Sequence, residues 1–71
     1  MSPPTMQISI NGDPRHLDHP LSVSALLVDL SLVGKRVAVE RNGEIVPRGR
    51  QGDTMLAEGD RIEIVVAVGG G

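Results

Sequence analysis

Apolar and polar residues alternate through Met6-Gln7-Ile8-Ser9-Ile10, the two-residue period of a strand with one buried face. Asn11-Gly12 follows directly and suits the positive φ angles of a tight hairpin turn. The returning strand is therefore predicted over residues 15–18, with Leu17 pointing inward and Pro20 closing it. The period then changes. Val23, Leu26, Leu27 and Leu30 fall at i, i+3, i+4 and i+7, one apolar stripe of a helix about ten residues long. Ser22 is placed to cap its first turn, and Gly34 to end it as a left-handed cap.

Alternation returns at Val37-Ala38-Val39-Glu40, and a second hairpin signal, Asn42-Gly43, precedes Glu44-Ile45-Val46. Pro47, Gly49 and Gly52 break the next stretch. Thr54-Met55-Leu56 either forms a short strand or simply lays Met55 and Leu56 on the core. Glu58-Gly59-Asp60 reads as a turn, Arg61-Ile62-Glu63-Ile64-Val65 as a strand, and Val66-Ala67-Val68 continues its apolar run. One helix covers one sheet face, so the order predicts an α+β fold: a mixed sheet of four to five strands with one main helix packed on one face. The last strand is expected centrally, beside the first. That is the β-grasp, or ubiquitin-like, arrangement. Residues 1–5, with two prolines, read as a flexible lead-in before a domain over residues 6–68 and a flexible glycine tail over residues 69–71; Met6 is an alternative start.

Composition narrows the function. A chain of 71 residues makes one domain and buries only roughly 60% of its unfolded surface. Without Phe, Tyr or Trp the core must be Ile, Leu, Val, Ala and Met, and no aromatic platform can stack on bases. A net charge of -2 argues against nucleic acid and anionic membranes as partners. The absence of cysteine removes disulfides, thiolate chemistry and Cys-ligated zinc. No run approaches the ~20 apolar residues of a membrane span, and no secretory signal opens the chain, so a cytoplasmic location is expected.

The candidate chemistry lies at Gly69-Gly70-Gly71. Three consecutive glycines at one place arise by chance about three or four times in ten thousand. Loose termini and cloning scars are the bland explanation, but here a strand runs almost directly into the glycines. Lacking Cβ atoms, they can thread a narrow channel, and three residues reach about 10 Å. A carboxylate is a poor electrophile. Adenylation by ATP would supply a good leaving group, and a sulfur nucleophile could then displace AMP to leave a thiocarboxylate. Having no phosphate-binding loop, Cys or triad, the chain would depend on a partner enzyme for these steps.

Over residues 6–71 the sequence resembles the ThiS family of small sulfur carriers of thiamin (thiazole) biosynthesis. The resemblance rests on the opening Met6-Gln7-Ile8-Ser9-Ile10-Asn11-Gly12, the helix stripe and the Glu58-Gly59-Asp60 turn. Its most specific part is Val37-Ala38-Val39-Glu40-Arg41-Asn42-Gly43-Glu44-Ile45-Val46-Pro47-Arg48, and the Gly-Gly ending completes it. It implies a carrier rather than an enzyme, with no permanently bound cofactor. Gly71 would be adenylated by a ThiF-type adenylyltransferase and converted to a thiocarboxylate, both transient modifications. Sulfur would come from cysteine through a cysteine desulfurase or another donor and pass to the thiazole synthase ThiG. Gly70 is the second member of the family pair; Gly69, a third glycine, and residues 1–5 depart from the minimal pattern.

The other readings are a molybdopterin synthase small subunit, a ubiquitin-like modifier joined to lysines, and an interaction module with an inert tail. His16 and His19 have a metal-like spacing, but two ligands in or beside a strand make a poor site. Lys35, Arg36, Arg41, Arg48 and Arg50 form either a solvated surface or a dock for an acidic partner. Asp53, Glu58, Asp60 and Glu63 could face a basic one. Leu26, Leu27, Leu30, Ile62 and Ile64 are expected in the core, with Val37 and Val39, or Val66 and Val68, contributing exposed apolar surface.

Overall fold

The structure is a computed structural model that describes residues 6–67; the expected lead-in, Val68 and the three tail glycines lie outside the described residues. Met6–Ile10 forms β1 and Asp13–Leu17 forms β2, joined by Asn11 (φ 51°) and Gly12 (φ 88°). Positive φ at both positions makes a type I′ turn, whose twist matches that of the strands it joins. The same turn recurs at Asn42 (φ 53°) and Gly43 (φ 87°), between β3, Val37–Arg41, and β4, Glu44–Ile45. β2 begins two residues earlier than predicted because the two-residue turn fixes the register, pairing Ile10 with Asp13. β4 stops at Ile45, although Val46 still donates its N–H to the Val39 carbonyl at 2.8 Å. Pro47, lacking an N–H, cannot extend the ladder.

The helix α1 spans Val23–Asp29. As expected, Ser22 caps it: its Oγ accepts from the Ala25 N–H at 3.1 Å. The next two unpaired donors of the first turn are met by the segment before β5. Val23 N–H donates to the Thr54 carbonyl and Ser24 N–H to the Gln51 carbonyl, at 2.9 and 3.0 Å. Met55 joins Ser22 in an isolated bridge, which turns Leu56 into the core and leaves Met55 50% exposed. Only one of that pair packs inward.

The C-terminus of α1 differs from the prediction. Ser31, not Gly34, takes the left-handed conformation (φ 60°). Its N–H donates to the Val28 carbonyl at 3.0 Å, and the Leu32 N–H to the Leu27 carbonyl at 2.9 Å, which together make a Schellman motif. The motif returns Leu32 to the core, where it packs partly buried. Gly34 (φ 85°) shapes the following turn instead.

The final strand β5, Arg61–Val66, completes one five-stranded sheet in the order β2-β1-β5-β3-β4. β1 and β5 run parallel and the other neighbours antiparallel, so the last strand is central beside the first, as expected. One face carries Ile8, Leu17, Val39, Ile62 and Ile64, packed with Val23, Leu26 and Leu27 of α1 and closed by Val46 and Leu56. Leu30 packs partly buried against them. The register sets Val39 opposite Ile64, which buries Val39 (1% exposed) and half-buries Val37. Neither valine supplies the exposed apolar surface predicted for that pair.

A serine held at positive φ costs on the order of 1 kcal/mol that glycine does not incur. Ser31→Gly should therefore raise stability by about 1 kcal/mol and Tm by about 4–8 °C in thermal unfolding followed by circular dichroism. A lowered Tm would contradict this account of the cap.

Candidate functional site

Everything predicted to carry chemistry comes after Ala67, so the site begins at the root from which the tail leaves. β5 forms that root. Its residues divide by parity. Arg61 and Ala67 bond to the β3 side: the Arg61 carbonyl accepts from Asn42 N–H, and the Ala67 N–H donates to the Arg36 carbonyl, both at 2.8 Å. In an antiparallel ladder this alternation turns the even-numbered backbone groups away from β3, towards β1. Accordingly the Asn11 N–H donates to the Ile62 carbonyl at 2.8 Å.

β1 ends at Ile10, one step short of Ile64. The Asn11 side chain fills that step. Its Oδ1 accepts from the Ile64 N–H at 2.8 Å and its Nδ2 donates to the Ile64 carbonyl at 3.1 Å. A side-chain amide thus stands in for one peptide unit of the missing strand. Asn42, in the other turn, grips the start of β5: its Oδ1 accepts from the Arg61 N–H at 2.8 Å. Both asparagines were legible as turn residues. Their second role depends on where β5 lies and has no local signal.

Asp60 ties the same end together. It is 5% exposed and accepts from the Arg41 Nε (2.8 Å), the Asn42 Nδ2 (3.0 Å) and the Ala57 N–H (2.8 Å). Burial pushes its carboxyl upward, but the Ala57 amide, the Asn42 side chain and the Arg41 guanidinium outweigh that and hold it below the usual carboxylate range. The Glu58 carboxylate accepts from the Gln7 N–H at 3.0 Å, docking the turn onto β1.

These contacts divide the charge clusters inferred from sequence into smaller groups. Arg41 is turned to Asp60, and the Arg36 backbone holds Ala67. Lys35 and Arg48 line a groove with Val28 and Val33 beside α1, whereas Arg50 lies near Ile45 and Pro47. On the acidic side, Asp60 is an internal anchor and Glu58 a turn anchor; Glu63 stands opposite Glu40 on the sheet, and Asp53 is exposed. His16 pairs across the hairpin with Gln7, and His19 contacts Asp18 at 3.2 Å. Among the described residues no three potential ligands gather for a metal.

At the root Val65 is 66% and Val66 41% exposed, on opposite faces of β5; Val28, Val33, Ile45 and Met55 are exposed elsewhere on the domain. Val66 therefore matches the prediction for that pair, while Val68 and the glycines Gly69, Gly70 and Gly71 lie outside the described residues. No helix among the described residues is long and apolar enough to cross a membrane.

The ThiS family model matches residues 8–71. A crystal structure of a thiamine biosynthesis protein (ThiS) from Geobacter metallireducens superimposes with a TM-score of 0.79 at 35% identity, covering 93% of this chain and 100% of that one. The thiazole synthase of Paramagnetospirillum magneticum is 42% identical over 66 residues, which is 93% of this chain but 20% of that protein. The ycf40 protein of Porphyra purpurea is 36% identical over 93% of both chains. The chain thus spans about one fifth of the length of the thiazole synthase it matches.

Replacing Asp60 by Asn keeps the shape and removes the charge. Asp60→Asn should cost about 1–3 kcal/mol at pH 7 in chemical denaturation. The folded carboxyl titrates below its unfolded value of about 3.9, so its stabilisation is present above that pH and disappears as pH falls through the folded value. The gap between the two proteins should therefore narrow as pH falls from 7 into the acid range; a gap that widens would refute the network. Separately, Asn11→Gly preserves the turn and deletes both bonds to Ile64. It should cost about 1–2 kcal/mol and speed hydrogen exchange at the Ile64 amide.

Proposed function

The chain belongs to the ThiS family, and from that premise we propose that it is a sulfur carrier of thiamine biosynthesis whose Gly71 carboxylate holds the sulfur. The observation that carries the reading is the family match, which extends through residue 71 and so includes the glycines that come after the central strand. The proposed steps are ordinary acyl chemistry. A Gly71 carboxylate oxygen attacks the α-phosphorus of ATP on a ThiF-type adenylyltransferase, and pyrophosphate leaves. A sulfur nucleophile then attacks the glycyl carbon; the C–S bond forms, the C–O bond to phosphate breaks, and AMP leaves. With hydrosulfide as the nucleophile the product is a glycine thiocarboxylate directly. With a desulfurase persulfide the first product is an acyl disulfide; an external thiol cleaves its S–S bond, releasing the thiocarboxylate and ending as a disulfide with the desulfurase cysteine. The thiocarboxylate sulfur originates in a desulfurase or another donor, because this chain has no cysteine of its own.

In this reading the folded domain is a handle rather than a catalyst, acting in the cytoplasm as a co-substrate of its partners. Gly69 and Gly70 form a lead without side chains, so the carboxylate can enter a channel too narrow for the sheet. A thiazole synthase is the proposed recipient. The relative that carries this name contains a stretch matching nearly all of this chain, and carrier and synthase joined in one polypeptide are the arrangement expected of two units that work together. The same match favours a thiazole synthase over a molybdopterin synthase as partner.

Intact-protein mass spectrometry tests the proposal. Incubation with the adenylyltransferase, ATP and a sulfur donor should add the mass difference between sulfur and oxygen. Removing Gly70 and Gly71 should abolish the gain while leaving the circular dichroism spectrum unchanged. An unchanged mass of the intact chain, with an adenylyltransferase shown active on another carrier, would defeat the assignment.

A further inference from the structure

The lane beside β5 on its β1 side is filled as far as Ile64 and then stops. β1 contributes backbone through Ile10, and the Asn11 side chain contributes one further step at Ile64. The next even-numbered residue is Val66. By the alternation that sends the Ala67 N–H to Arg36, the Val66 N–H and C=O both point into this lane. Among the described residues nothing bonds to either of them. A donor and an acceptor from one residue of a twisted strand, side by side and aimed the same way, are half of a β-ladder step. Apolar surface flanks them on both faces, at Val65 and Val66.

We infer that the lane at Val66 is where an extended main-chain segment of the adenylating partner adds to the sheet as a short strand, hydrogen-bonding to the Val66 N–H and C=O. The inference rests on the carrier reading above. An extended backbone is the fitting occupant because it presents an acceptor and a donor at the spacing of this pair, and because its alternating side chains would cover Val65 on one face and Val66 on the other. Position gives the contact its purpose. Residues 68–71 come directly after Ala67 and, if extended, reach about 13 Å. A strand paired at Val66 would run beside the start of that stretch and fix the direction in which it leaves. The Asn11 side chain makes the lane short. It stops pairing with β1 at Ile64 and leaves room at Val66 alone before the tail.

Val66→Pro deletes the donor that faces the lane and no hydrogen bond within the described fold, since the Val66 N–H has no partner there. Val66→Ala keeps the amide and trims the side chain. Both variants should retain the wild-type circular dichroism spectrum. With the adenylyltransferase and ATP, kcat/KM for pyrophosphate release should fall about tenfold for Val66→Pro and stay within about threefold of wild type for Val66→Ala. Hydrogen exchange on the unmodified protein reads the same contact without mutation. The Val66 amide should exchange much faster than Ile64 in the free chain and slow by about tenfold or more when the enzyme binds. Equal kcat/KM for Val66→Pro and wild type, or a Val66 amide that stays fast in the bound complex, would overturn the lane while leaving the carrier reading intact. A Val66 amide already slow in the free chain, in proportion to its concentration, would assign the lane to a second copy and overturn it too. A wild-type chain that neither binds the enzyme nor is charged by it would remove both readings.

Discussion

A last strand in the middle of a sheet must have both of its edges paired and yet let the chain go. That constraint organises this domain. β5 has β3 along one side and β1 along the other, but β1 is in register with only its first part. The Asn11 side chain meets that shortfall at Ile64, while the Asn42 side chain grips the start of β5 on its β3 side. Asn11 and Asn42 each occupy a left-handed turn position that asparagine tolerates, and each carries an amide with the donor and acceptor of a peptide group. The two turns therefore make their hairpins and also clamp the strand that arrives roughly twenty and fifty residues later. A Gly-Gly dipeptide would satisfy the first requirement and fail the second.

Asp60 extends the same logic to the start of the strand. Its carboxylate is almost wholly shielded, which would be costly for a lone charge, but three donors reach it from two parts of the chain, the adjacent Arg41 and Asn42 and the Ala57 amide. One of them is Arg41, which sits among other cations in the sequence and looks there like surface charge. Folding brings it, on β3, beside the start of β5 and the Glu58-Gly59-Asp60 turn. With an all-aliphatic core and few residues to bury, such polar anchors carry an unusual share of the work of positioning the tail root.

Legibility in the sequence depended on range. Strands, turns, the helix stripe and the Ser22 cap depend on residues within about one turn of each other, and all were legible in the alternation and in Asn-Gly. The central place of β5 was implied by its order and its apolar character. Four features escaped. Ser31 rather than Gly34 ends the helix because Leu32 must return to the core, a tertiary demand that overrides the glycine preference. Val39 is buried because it faces Ile64, and a strand's own pattern cannot tell which of its faces that will be. Asp60 and Asn11 act across 18 and 53 residues of separation, and nothing near them in sequence marks either role. The glycines were visible at once, but they lie outside the described residues, so the structure's contribution concerns their root.

That root carries a tension of its own. Unpaired edges invite unwanted pairing, and proteins usually blunt them with charge, proline or a covering loop. β2 has Asp13, Pro14 and Arg15 along its outer edge, and β4 is only two residues long, so both outer edges of the sheet are guarded. Among the described residues the interior lane at Val66 has none of these devices; it has exposed valines on both faces. If the opening were merely an unfinished edge, the polar cover applied at β2 would be expected here as well. Its absence at the one place where the chain leaves the sheet is more economically explained by a transient partner strand. Keeping that opening to a single residue, with Asn11 closing the step before it, limits pairing to partners that also engage the residues after Ala67.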